Sequence, residues 1–220
     1  MFMKGFILST MVLFMSVAAF ASQKVDNMTE NKLGWEEFST KQGSVTFEDG
    51  FMILKSKQMP KIKMFDMAAT QKAISASEVK TFAKLPLRGN DNYKLTIKYI
   101  DPTFGQNFYN IYFNASKNCM EGDGCNAYIF SVGMKQYSLP AFDGYTHLDK
   151  LPIKGKKEMA MELVITKKNT EATIELNGIE LYSGVCPLSE PVIGFGVMMK
   201  KTLKIDEIII EQAETSRNND

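Results

Sequence analysis

The run Thr173-Ile-Glu-Leu-Asn177-Gly178-Ile-Glu-Leu-Tyr182 constrains the fold of this chain more than any other segment. Asn-Gly supplies two residues that tolerate positive φ, as a type I′ turn requires. The alternating apolar residues on either side give two strands with one buried face each. Around this hairpin, residues 159–166, 170–176, 179–183, 192–199 and 203–211 carry strand patterns in close succession.

The rest of the chain repeats the theme. Residues 44–48 and 51–57 form a second expected hairpin, turning at Asp49-Gly50 for the same positive-φ reason. Residues 62–70 suit either a short helix or a crossing loop, and 74–85 reads as a long strand. Further strands are expected at 93–100, 107–114, 127–132 and 135–139. About twelve short strands spaced about 8–12 residues apart, with no long helix, predict an all-β fold. We read two packed antiparallel sheets forming a single jelly-roll β-sandwich. No fixed internal period points to a propeller or solenoid.

The first 21 residues read as a signal peptide. Lys4 gives a basic start, Gly5 to Val17 is almost wholly apolar, and Ala19-Phe20-Ala21 before Ser22 is a small-x-small cleavage site. The apolar run falls short of the about 20 residues a membrane span needs. Residues 22–33 then form a polar lead, 34–213 the sandwich domain, and 214–220 a polar tail. The expected mature protein is exported, periplasmic or extracellular, and has no membrane span. Removing Lys4 with the leader leaves acids and bases equal in number, which argues against a nucleic-acid partner.

Three cysteines are present. In an exported chain, Cys119 and Cys125 are expected to form a local disulfide around Met-Glu-Gly-Asp-Gly, with Cys186 left as a small buried hydrophobe. His147 is the only histidine, so a histidine-rich metal site is not expected. No cofactor is required by any motif. Calcium is a candidate at Asp123 in its glycine-rich loop, or at Asp91 beside Asn90 and Asn92.

Several structural motifs carry a family resemblance: the Trp35/Phe38 opening, Val45-x-Phe47-x-Asp49-Gly50-x-x-x-Leu54, Lys84-Leu-Pro-Leu87 leading into Tyr93-Lys-Leu-Thr-Ile97, Leu163-x-Ile165 ahead of the Asn177-Gly178 hairpin, and Ile193-Gly-Phe-Gly196 closing on Ile205-Asp206-x-Ile208-x-Ile210. Together they resemble the concanavalin A-like lectin/glucanase superfamily, in particular exported laminin-G-like domains and domains grouped with 3-keto-disaccharide hydrolases. The resemblance implies a curved sandwich whose concave sheet often holds a carbohydrate. Catalysis does not follow from it.

Retaining glycosidases place two carboxyl groups about 5 Å apart. In the family 16 glucanases of this superfamily they come from Glu-x-Asp-x-x-Glu on one strand. The nearest match here is Glu121-Gly-Asp123-Gly-Cys-Asn126, whose last acid has become an amide. Glu207-Ile-Ile-Ile-Glu211 has same-face spacing without the middle acid. No Gly-x-Ser-x-Gly elbow is present, and Gly194-x-Gly196 sits between apolar strand residues, where it would serve close packing within the sheet.

What remains is a binding face. Alternation along 107–114 puts Tyr109, Ile111 and Phe113 towards the core and Phe108, Asn110, Tyr112 and Asn114 on the other side. Rings and amides together suit a sugar, whose C–H face stacks while its hydroxyls pair. Asn126, Tyr128 and Phe130 are read as continuing that face, followed by Lys135, Gln136 and Tyr137. The expected ligand-binding set is Asn110, Tyr112, Asn114, Tyr128, Gln136 and Tyr137, with Phe142, Asp143, Tyr145 and His147 as a rim, Gly144-Tyr-Thr-His-Leu148 being read as a loop. The leading function is binding of an oligosaccharide or polysaccharide. The alternatives are a glycoside-cleaving hydrolase of the 3-keto-disaccharide hydrolase-like group and a structural or protein-interaction domain.

Overall fold

The computed structural model describes residues 20–61, 65–88, 92–102, 107–121, 125–133, 136–141, 144–148, 158–186 and 190–213; for 20–22, 136–141, 144–148 and 213 it describes the backbone alone. In chain order the strands are β1 (Phe20–Asp26), β2 (Phe38–Ser39), β3 (Gly43–Glu48), β4 (Phe51–Ser56), β5 (Val79–Lys84), β6 (Tyr93–Asp101), β7 (Phe108–Phe113), β8 (Tyr128–Gly133), β9 (Gln136–Ala141), β10 (Gly144–Leu148), β11 (Met159–Lys168), β12 (Glu171–Leu176), β13 (Ile179–Val185), β14 (Val192–Val197) and β15 (Thr202–Ala213). Helix α1 (Met67–Ala76) precedes β5, and the single turn α2 (Asn118–Glu121) precedes β8.

The strands form two antiparallel sheets. A nine-stranded sheet runs β13-β12-β11-β6-β15-β4-β3-β2, with β1 beside the second half of β15, and a six-stranded sheet runs β10-β9-β8-β7-β14-β5. Both expected hairpins are present, with Asp49, Gly50, Asn177 and Gly178 all at positive φ. Inward positions alternate along each strand: Leu95, Ile97 and Tyr99 on β6, Leu163 and Ile165 on β11, and Ile208 and Ile210 on β15 meet Tyr109, Ile111 and Phe113 on β7 and Phe195 on β14. Each fully buried side chain of this size contributes about 1.5–3 kcal/mol, so the interlayer space is what holds the two sheets together. The opposite face of the nine-stranded sheet is solvated and carries ion pairs such as Lys98–Glu207 at 2.7 Å and Lys94–Glu211 at 3.6 Å.

Three local expectations are corrected. Part of the polar lead, 22–33, is strand: β1 pairs with β15 from Phe20↔Ala213 to Asp26↔Ile208. Its polar side chains hid it, because a strand at the sandwich margin has little face to bury. Ile74 belongs to a helix instead of a strand. Asp66 accepts from the Ala69 N–H at 2.9 Å and caps α1, whose Met, Ala, Gln and Lys residues are good helix formers. Finally, 144–148, read as a loop, pairs as β10 with β9.

Candidate functional site

The outer face of the six-stranded sheet is built from residues that alternate with the core. Its middle row crosses four strands, with Lys80 opposite Gly196, Gly196 opposite Asn110, and Asn110 opposite Ser131. The same register continues to Ser138 and then His147. A neighbouring row holds Phe82, Gly194, Tyr112 and Ile129.

These rows support a connected polar network. The Glu78 carboxylate Oε1 accepts from the Asn110 amide at 2.8 Å and from the Tyr112 hydroxyl at 2.6 Å. Asn110 also donates towards Tyr112 Oη at 3.1 Å, and Ser131 Oγ donates to Asn110 Oδ1 at 2.7 Å. The Phe82 ring leans over Tyr112 with centroids 5.2 Å apart. Burial, then the Glu78 charge, raises the Tyr112 phenol far above its ordinary range. Tyr112 is therefore a fixed neutral donor that holds Glu78 in place.

Two glycines make the network possible. A Cβ on Gly196 would lie 2.1 Å from Glu78 Oε1, and one on Gly194 would lie 2.2 Å from the Phe82 ring. Bare backbone at both positions lets side chains from the β5 segment lie across β14 and reach β7. The expectation of close packing at Gly194-x-Gly196 was right in kind, but side chains, not backbone, fill the space.

One flank of the face is a small second cluster. Ala115, Cys119 and Val192 pack with Phe82 and Ala127. Cys119 and Cys125 form the expected disulfide, which closes the α2 loop against this cluster. Cys186 is buried, as expected.

The structure separates the expected ligand set. Asn110 and Tyr112 share the outer face. Asn114 and Tyr128 do not, and both are corrected. Asn114 has φ of 47°, which breaks the extended alternation and turns it inward, where Tyr93 donates to its Oδ1 and its amide donates to Cys186 Sγ at 3.1 Å. Tyr128 pairs with Phe113 in register and stacks on its ring at 5.4 Å, so it belongs to the core alongside Phe130. In backbone register Gln136 falls in the row of Gly133 and Phe108, whereas Tyr137 falls in the core row of Val132 and Tyr109. Tyr145 and His147 lie on β10; Phe142, Asp143, Lys135, Asp123, Asp91 and Asn90 lie outside the described residues.

Sequence reading missed Glu78, Phe82 and Ser131. Alternation from Glu78 through Lys80 to Phe82 was available, but it was absorbed into an overlong strand. None of the six strands of this sheet contains an aspartate or glutamate, and among the described residues Glu78, just ahead of β5, is the one acid that flanks the start of any of them. Glu207 and Glu211 face the other sheet's solvent side and pair with Lys98 and Lys94. Among the described residues, no group of three or more His, Cys, Asp or Glu side chains could hold a metal ion.

Solved structures share the fold of this chain. A protein of unknown function with a galectin-like fold from Bacillus subtilis superposes with a TM-score of 0.59 and 12% identity, over 86% of this chain and 95% of that one. A non-specific endo-β-1,3(4)-glucanase from family GH16 gives 0.53 and 9%, over 88% and 92%. The fold is concanavalin A-like. A third match, the CBM2 module of Lactobacillus casei BL23 phage J-1 evolved Dit, gives 0.50 and 11%, over 88% and 98%. By sequence, no family model and no curated protein matches the chain. The outer face of the six-stranded sheet carries the Glu78–Tyr112–Asn110–Ser131 network.

Proposed function

We propose that this chain is an exported carbohydrate-binding domain that takes a glycan on the outer face of its six-stranded sheet. The observation that carries the reading is the Glu78–Tyr112–Asn110–Ser131 network beside the half-buried Phe82 ring. Glu78 Oε1 is occupied by its two donors, and Oε2 remains to accept from a sugar hydroxyl. Ser131 Oγ and Asn110 Oδ1 offer further lone pairs, and exposed Lys80 offers a donor. Half-buried Phe82 and Phe108 supply apolar surface for a sugar's C–H face. Because these groups are locked by one another, little side-chain entropy is lost on binding.

Three of the structural relatives support a carbohydrate role through their printed names: the glucanase, the carbohydrate-binding module and a sialidase matched at 0.54 over 90% of this chain but 18% of its own. A glycan array followed by calorimetry tests the reading. Glu78→Gln and Asn110→Ala should each weaken the best ligand about tenfold. Absence of any glycan ligand, or binding untouched by both changes, sinks it.

Binding without cleavage is favoured over the hydrolase alternative, since two-carboxylate chemistry needs a partner acid within about 5–10 Å of Glu78 and the six strands supply none. Incubation with the best-bound glycan should release no reducing ends. Export is supported by the leader-like N-terminus and by the Cys119–Cys125 disulfide, which persists in oxidising compartments. Among the described residues, no helix is long and apolar enough to cross a membrane. Mass spectrometry of the exported protein should find Ser22 at its N-terminus.

A further inference from the structure

A second concavity lies away from the glycan face, at the margin where the two sheets part. Its volume is about 470 Å³, and its walls include Lys24, Asp26, Lys32, Leu33, Lys84 and Pro86. It arises from the way β1 joins the nine-stranded sheet. Lys24 sits opposite Ile210 and Asp26 opposite Ile208, and both isoleucines belong to the core. β1 therefore places polar residues in rows that hold isoleucine on the adjacent strand. Across the gap, Lys84 ends β5, and the turn after it carries the Pro86 carbonyl, to which Lys24 Nζ donates at 3.5 Å.

The charges at this mouth are unbalanced. Asp26 is buried and already satisfied, its two oxygens accepting from the Met28 N–H at 3.2 Å and the Leu33 N–H at 2.9 Å. Lys32 pairs with Glu30 at 2.9 Å, both side chains being more than half exposed. Lys84 makes no ion pair with the described residues. Three exposed ammonium groups thus surround a space with an apolar back wall of Leu33, Pro86 and Ile210. Most small-ligand sites fall within about 300–1,000 Å³ and combine an apolar wall with a few placed polar groups, and this one has both.

We infer that this cleft binds a carboxylated sugar unit, with its carboxylate among Lys24, Lys32 and Lys84 and its C–H face against Leu33 and Pro86. The anionic half of the inference rests on the lysines alone, and the saccharide half rests on the proposed glycan-binding function. Exposed charge pairs are weak and screened by salt, so binding is modest and falls as ionic strength rises.

The test is calorimetric titration of the full chain with glucuronate, glucose and inorganic sulfate at low and at physiological salt. It is run on the native protein, on Lys24→Gln/Lys32→Gln/Lys84→Gln, and on Glu78→Gln. The inference expects glucuronate to bind more tightly than glucose or sulfate, to weaken with salt, to lose about tenfold in the lysine variant and to be unchanged in Glu78→Gln. Equal binding of sulfate and glucuronate overturns it, because only charge is then being read. No glucuronate binding, binding that survives loss of all three lysines, or binding lost in Glu78→Gln overturns it too. The single change Lys84→Gln, with circular dichroism on every variant, separates lost binding from lost structure. Failure of neutral glycans at the outer face alongside lysine-dependent glucuronate binding would sink the face reading and leave the cleft standing.

Discussion

At the scale of single residues, Gly196 and Gly194 carry the argument. Both would clash with a side chain on gaining a methyl group, but the neighbours differ. At Gly196 the obstacle is the end of the flexible Glu78 side chain, which can swing away, whereas at Gly194 it is an aromatic ring packed on Tyr112. Gly196→Ala is therefore expected to keep stability within about 1 kcal/mol while breaking the network and weakening glycan binding about tenfold. Gly194→Ala should cost about 1–3 kcal/mol as Phe82 is forced off its seat. Urea denaturation and calorimetry on the two variants check this, and an equal stability loss in both would contradict it. Cys186 gives a second residue-scale expectation. Burial is the first cause raising its thiol pKa, with Asn114 and Tyr128 acting against it. A thiol reagent at mildly alkaline pH should leave Cys186 unmodified in the folded chain and modify it rapidly in denaturant.

At the scale of elements, the α2 loop is the piece most open to manipulation. Its disulfide spans a sequence separation of 6, and Cys119 packs with Val192 and Phe82. Closing so short a loop contributes about 2 kcal/mol by chain entropy. Cys119→Ser/Cys125→Ser should lower stability by about that amount and loosen the flank of the outer face. Glycan affinity should fall less than it does in Glu78→Gln, because the network itself contains no loop residue. A variant that unfolds outright would show that the loop does more than close a ring. Strand β1 behaves differently: most of its pairing is with β15 alone, so its placement depends on a neighbour about 190 residues away and not on its own composition.

At the scale of the whole molecule, two buried phenols tie stability to alkaline pH. Tyr93 and Tyr112 are both raised well above the ordinary 10.0, each chiefly by burial, with the charge on Cys186 second for Tyr93 and that on Glu78 second for Tyr112. The folded state thus keeps two protons that the unfolded chain gives up near pH 10. Their contribution is complete below that pH and is lost as pH rises beyond it, by up to about 1.4 kcal/mol per pH unit for each tyrosine. Urea midpoints should hold up to about pH 10 and then fall increasingly steeply as the pH is raised towards about 12, and Tyr112→Phe should make the fall shallower. A flat profile would mean that neither phenol is withheld from titration.

The sequence by itself determined what depends on adjacent residues. Both positive-φ hairpins, the strand periods of β6, β7, β8, β11 and β12, the local disulfide and the all-β jelly-roll class follow from neighbours within a few positions, where turn geometry and alternation act directly. Only the tertiary structure decided which residues share a face. Alternation divides a strand into two sides without saying which side is buried, so Tyr128 could be misread until its register with Phe113 was known, and Asn114 until its positive φ was. The network itself draws Glu78, Tyr112, Asn110 and Ser131 from three separate stretches of chain, and crosses two glycines from a fourth. No local pattern couples those stretches; the closing of six strands into one sheet does, because antiparallel register alone sets Lys80, Gly196, Asn110 and Ser131 in a line.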